Sequence, residues 1–333
     1  MVSAACVANP DLQGPMPVRN QHPAQLTVLH LPTTGARSLP SGRVMVRGDA
    51  AYSNLFLSGT GPNGATWTMD GEYLRAAAAV RAGLGSGLEF GLEVPFAHTS
   101  GGFLDSFVID FHDTFGLPDQ NRQGSPRDAF EILAQRSGQD VWRVEPAAWT
   151  PLDLPLTLAW QIADPADGLG VAIRGGIELP TGDQDRGYGN GEVDFAAGIV
   201  LEHHALGAGF YGHAQHTLAG SPRAPRAVAQ PSGASSERLE FADVTSAGLA
   251  AEVPLGALLT ALVQVEWETS TLRRLRIPTT DREQCLLWVG GRFQLDQDTS
   301  LEIGFGEDLI GLVSPDFTAW LGMAWVPGGR RRS

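Results

Sequence analysis

Apolar residues recur at every second position through most of this chain, and that period constrains its fold more than any other feature. Leu88, Phe90, Leu92 and Val94 alternate with Glu89, Gly91 and Glu93. Val171, Ile173, Ile177 and Leu179 alternate with Ala172, Arg174, Gly176 and Glu178, and Leu259, Ala261, Val263, Val265 and Trp267 with Thr260, Gln264, Glu266 and Glu268. Successive side chains of a strand point to opposite faces, so this spacing predicts strands with one apolar and one polar face. Thirteen segments carry it: 42–58, 66–82, 87–97, 140–149, 155–163, 169–180, 192–204, 207–217, 238–252, 258–269, 284–295, 300–308 and 316–326.

Two architectures satisfy such a pattern. In a soluble sandwich the apolar face is the core; in a membrane barrel it meets lipid and the polar face lines the lumen. The barrel is favoured by polar faces that mix both charge signs with small residues, by strands of ten to fifteen residues, and by the aromatic-tipped last strand, Phe317 to Trp325. No run reaches the ~20 apolar residues that a spanning helix needs. Single-chain bacterial barrels have an even strand number. The expected fold is therefore all-β: an antiparallel transmembrane β-barrel of about 12 strands, or 14 if 24–33 adds another. The expected organisation is an N-terminal segment 1–40 able to enter the lumen, a barrel over 41–326 and a basic tail at 327–333.

Composition removes several function classes. The net charge is −14, with 37 acidic residues against 23 arginines and no lysine, which argues against a nucleic-acid partner. Two cysteines, Cys6 and Cys285, form no metal set, and no cofactor is expected. Met1–Val7 has neither a basic n-region nor a long apolar h-region, as in a mature chain. The expected surroundings are outer-membrane lipid, with an envelope protein as a further partner.

Residues 98–138 break the period. Phe103, Phe107, Phe111 and Phe115 recur every four residues, which is helical spacing. Ser125 and Pro126 start a second helical pattern over 125–136. A short helical insertion is thus expected at about 102–136.

Several local patterns, in this order along the chain, resemble one family. They are Gly14-Pro15-Met16-Pro17-Val18-Arg19-Asn20-Gln21-His22-Pro23, Tyr52-Ser53-Asn54, Asp70-Gly71-Glu72, the block from Gly101-Gly102-Phe103 to Phe115-Gly116-Leu117-Pro118, Glu178-Leu179-Pro180-Thr181-Gly182-Asp183, Glu307-Asp308-Leu309 and Ser314-Pro315-Asp316-Phe317. The family is the uncharacterised bacterial outer-membrane family known as domain of unknown function 3187. The resemblance implies an outer-membrane barrel and implies no activity.

The strongest functional signal is the charge expected to line the lumen: Arg43, Arg47, Asp49, Asp70, Glu72, Glu89, Glu93, Arg174, Glu178, Glu202, Glu266, Arg292 and Glu302, with Arg143 and Glu145 on the same reading. Such rows set the field of a pore or tie a closed lumen together. The leading expectation is passage of a small solute or ion, with preference for cations. The rival is a closed structural barrel, an anchor or subunit of an envelope complex. His98-x-Ser100 puts an imidazole and a hydroxyl on one strand face, a spacing that resembles that of a lipid A deacylase barrel and would imply a membrane-embedded hydrolase, but the sequence fixes no carboxylate to orient the imidazole. No catalytic or metal residue is assigned.

Overall fold

A computed structural model describes residues 12–104, 106, 110, 114, 126–222, 239–310, 314, 315 and 317–328. The strands are β1 (Val44–Thr60), β2 (Thr66–Gly85), β3 (Leu88–Ser100), β4 (Glu131–Arg136), β5 (Gln139–Val144), β6 (Ala147–Pro151), β7 (Leu154–Ala163), β8 (Leu169–Leu179), β9 (Asp194–Ala205), β10 (Ala208–Leu218), β11 (Val244–Pro254), β12 (Leu259–Glu268), β13 (Gln284–Gln294), β14 (Thr299–Ile310) and β15 (Phe317–Trp325). Twelve of them, β1–β3 and β7–β15, form one antiparallel ring, closed where Val46 to Asn54 of β1 pair with Trp325 to Phe317 of β15. Closure leaves no unpaired edge, the condition a sheet must meet to cross a bilayer.

The three remaining strands lengthen the wall at one end. β4 pairs with Thr66–Asp70 of β2, β5 with β4, and β6 with Phe96–Thr99 of β3. Their end carries the long connections 179–194, 218–244 and 268–284; the other carries the short turns 85–88, 205–208 and 294–299. In barrels of this kind the short turns are periplasmic and the long loops extracellular. Ser86-Gly87 and Leu206-Gly207 make two-residue turns with both central residues at positive φ, matching the twist of the strands they join.

Outward apolar side chains form a continuous band. Phe90, Ile173, Ile199, Val263 and Val289 are 39–47% exposed, whereas inward neighbours such as Arg174, Gln264 and Arg292 are buried. This inside-out distribution suits hydrocarbon outside and polar contacts within.

Local signals misled in three places. Residues 131–136 form β4, with Ile132 and Ala134 buried on a period of two, because pairing with β2 outweighs the helix-start signals before them. Segment 140–149 divides into β5 and β6, neither in the closed ring. Segment 24–33 contains only a 3₁₀ turn at Gln25–Thr27. Within the Phe-spaced stretch, Ser106, Asp110 and Thr114 have helical backbone, Phe103 is exposed, and Phe107, Phe111 and Phe115 lie outside the described residues.

Candidate functional site

Residues 12–40 pair with no strand and pack among the inward side chains of the ring. The Gln13 and Gly14 amides donate to Glu252 (2.9–3.1 Å), and the Met16 amide to Gln264 (3.0 Å). Asn20 and Gln25 donate to Glu268 at the extracellular end of β12. On the return, the amides of Leu29, Leu31, Ala36, Ser38 and Leu39 donate to Asp194, Gln215, Glu202, Gln161 and Glu89. Since Glu252, Glu202 and Glu89 lie near the short turns, the segment rises from the periplasmic end, turns at 20–28 and descends into β1. Arg19 closes the turn by donating to the carbonyls of Gln25 (2.6 Å) and Val28 (2.9 Å). The wall thus holds this segment largely through its backbone.

One chain of alternating charges joins wall and segment. Arg47 binds Asp49 (2.6 Å) and Glu302; Arg292 binds Glu302 (2.6 Å), Glu252 and the Gly14 carbonyl (2.7 Å). Glu252 also accepts Tyr211 (2.7 Å). Arg75 pairs with Glu93, and Arg81 with Glu89 (2.5 Å). Buried ions need such partners, since each charge loses hydration.

The extracellular end is closed by apolar side chains. Leu26 and Val28 of the turn meet Leu55, Leu57, Trp67, Met69, Tyr73, Trp142, Phe241, Leu272 and Ile277 in one buried cluster. His22 stacks on Trp67 (5.3 Å), and Trp67 on Trp142 (5.7 Å).

Below this seal the segment packs toward β8–β13 and leaves space on the other side. A cavity of about 90 Å³ lies between the segment and β1, β2, β3, β7 and β8, with one residue each of β13 and β14 at its border. Small side chains, Ala79, Gly91, Thr157 and Ala159, leave the room; Arg47, Arg81, Arg174 and Arg292 border it with Asp49, Glu89, Glu93 and Glu302.

A family model described as a protein of unknown function (DUF3187) matches residues 1–326. The chain belongs to that family. No functionally curated protein matches it. A crystal structure of the COG4313 outer membrane channel from Pseudomonas putida F1 is similar at 14% identity and TM-score 0.56, covering 89% of this chain and 100% of that one. Two others share less of the geometry: the NanC porin (10% identity, TM-score 0.44, 85% and 98% covered) and the P. putida toluene transporter TodX (11%, 0.36, 92% and 91%). With its closed ring, apolar band and lumen-facing charge, this DUF3187 protein is an outer-membrane β-barrel.

Within the DUF3187 barrel, Arg47, Asp49, Glu89, Glu93, Arg174, Arg292 and Glu302 meet at the cavity. Glu178, Glu202 and Glu266 are buried on inward positions of β8, β9 and β12, away from it. Arg43 sits at the periplasmic rim beside Gly328. Asp70 and Glu72 are corrections. The inward positions of β2 are the odd ones, Trp67, Met69, Tyr73, Arg75 and Arg81, so Asp70 and Glu72 occupy the outer parity. Glu72 is covered there by the Phe103 and Leu104 amides (2.8 and 2.5 Å) and the Tyr52 hydroxyl. Arg143 and Glu145 belong to the extracellular extension, where they pair with Asp140 and Arg186. His98 and Ser100 are on outer-parity positions of β3; the His98 ring lies edge-on to Trp149 (5.6 Å), and no bond between His98 and Ser100 or Glu72 occurs among the described residues.

The sequence reading missed Arg75, Arg81 and Glu252. The signal for the first two was their parity with Trp67 and Tyr73, hidden by the run Ala76–Ala79. Glu252 shares the even parity of Val244, Ser246 and Gly248 on β11.

Proposed function

We propose that this protein is a channel for a small solute, gated by its own residues 12–40. The observation that carries the reading is the ion-lined cavity left beside a segment held by side-chain-to-backbone hydrogen bonds and by no sheet pairing. Such a segment can shift without breaking the barrel's ladder, and a shift of its 20–28 turn would connect the cavity with the outside. The COG4313 fold, a channel by name, supports the same class. The buried apolar seal favours a second reading, a closed barrel serving as an anchor or envelope subunit. Planar-bilayer recording separates them. Wild-type protein should give gated conductance, and Leu26→Asp, which puts a charge into the seal, should raise the open fraction. Silence of both proteins across the voltage range would defeat the channel and leave the closed barrel.

A further inference from the structure

We propose that Arg174 anchors a binding site for a small monocarboxylate in the lumen cavity; the proposal rests on the channel reading and names its solute class. Arg174 is 7% exposed and borders the cavity. Its Nη1 donates to the Pro32 carbonyl (2.8 Å) and its Nη2 to the Gly35 carbonyl (2.6 Å). A guanidinium has five N–H donors, so these two bonds leave three. Nε is buried with no partner. Arg47, Arg75, Arg81 and Arg292 each have a carboxylate, whereas among the described residues none is paired with Arg174.

The two acids that come nearest in charge are already committed. Glu89 gives one oxygen to Arg81 and the other to the Leu39 amide (2.9 Å). Glu202 takes the Ala36 amide (2.7 Å) and His204 (2.7 Å). Arg174 therefore brings to the cavity wall a buried cation with an unused donor, an arrangement that a ligand acceptor relieves. A carboxylate fits best, because its two coplanar oxygens match a guanidinium edge. Pro15, Pro32, Ala79 and Ala159 offer apolar contact to a short tail. The volume, about 90 Å³, sets the size: an apolar cavity of ~150 Å³ takes benzene, so this one suits an acid of a few carbons.

The test is calorimetric titration of the full-length protein in detergent with sodium propionate and, at equal ionic strength, with sodium chloride. Propionate should bind and chloride should not. Arg174→Gln should weaken propionate binding at least ~10-fold, the loss of one charge-assisted contact. Because that substitution also frees the Pro32 and Gly35 carbonyls, Ala79→Leu provides a second variant that fills the cavity and leaves Arg174 in place; it should abolish binding too. Equal heats for chloride and propionate, or unchanged propionate affinity in Ala79→Leu, would overturn the site. Conductance without propionate binding would defeat this inference alone. Binding without conductance would defeat the channel reading alone.

Discussion

The side-chain amide of Asn190 donates to the Thr27 carbonyl across 2.9 Å, tying the β8–β9 loop to the turn of the lumen segment. Asn190 is wholly buried, and its backbone amide and both polar atoms of its side chain are used. Its side chain also donates to Asp194 (2.9 Å), its backbone amide to Asp153 (3.1 Å), and its Oδ1 accepts the Glu192 amide (2.8 Å). One residue thus joins an extracellular loop, the wall and the segment that fills the lumen, so displacement of that loop bears directly on the turn.

Asn190→Ala tests this tie. It leaves the Thr27 carbonyl buried without its donor and removes one from Asp194, which costs ~1–3 kcal/mol. The loss should appear as a lower temperature for the shift from folded to unfolded mobility in gel electrophoresis, and as longer openings in bilayers. Wild-type behaviour on both counts would remove Asn190 as the link.

Ion selectivity should be weak. The acidic excess of the chain suggests a cation pore, but the structure spends that excess elsewhere: Asp70 and Glu72 are outside, and Glu202 and Glu252 hold the segment's amides. At the cavity four arginines face four carboxylates. Reversal potentials in a potassium chloride gradient should therefore lie near zero. Glu302→Gln leaves Arg47 and Arg292 short of a shared counter-ion, moving the potential toward anions and costing ~3–5 kcal/mol. A strong cation preference in the wild type would mean that other carboxylates line the conducting path.

The exterior band predicts a second asymmetry. Ile173→Arg, on a lipid-facing position of β8, should destabilise the barrel by ~2–4 kcal/mol. Thr157→Arg, which points into the cavity from β7, should cost less. Equal costs in a refolding titration into lipid vesicles would contradict the orientation of both strands.

The barrel was legible in the sequence because Ile173 against Arg174, or Val263 against Gln264, obeys one rule along each strand: apolar out, polar in. The rule inverts where the lumen holds protein. On β2, Trp67, Met69 and Tyr73 point inward to meet Leu26 of the lumen segment, and Asp70 and Glu72 take the outer parity. Period alone cannot reveal this inversion, since a strand facing a core and a strand facing lipid alternate alike. The cavity was equally hidden. It depends on which side of the lumen the segment leaves empty, a long-range choice made by contacts such as Leu29 with Asp194, 165 residues apart.

The last prediction is a pH dependence at the extracellular rim. Asp153, between β6 and β7, is 2% exposed, and burial pushes its carboxyl from 3.8 up to about 6. The amides of Gly182 (2.8 Å) and Asn190 (3.1 Å) favour the ionised form but do not offset the lost hydration. Its folded value therefore lies above its unfolded one. Between about pH 4 and 6 the folded protein keeps a proton that the unfolded chain releases, so this residue's contribution falls as pH rises and levels off above about 6. Two pH units correspond to ~3 kcal/mol. Asp153→Asn has no proton to exchange. Subtracting its unfolding free energy from that of the wild type across pH 4–7 should give a difference that declines with pH up to about 6 and is then flat. A difference that rises with pH would show that the hydrogen bonds, not burial, set the charge of Asp153.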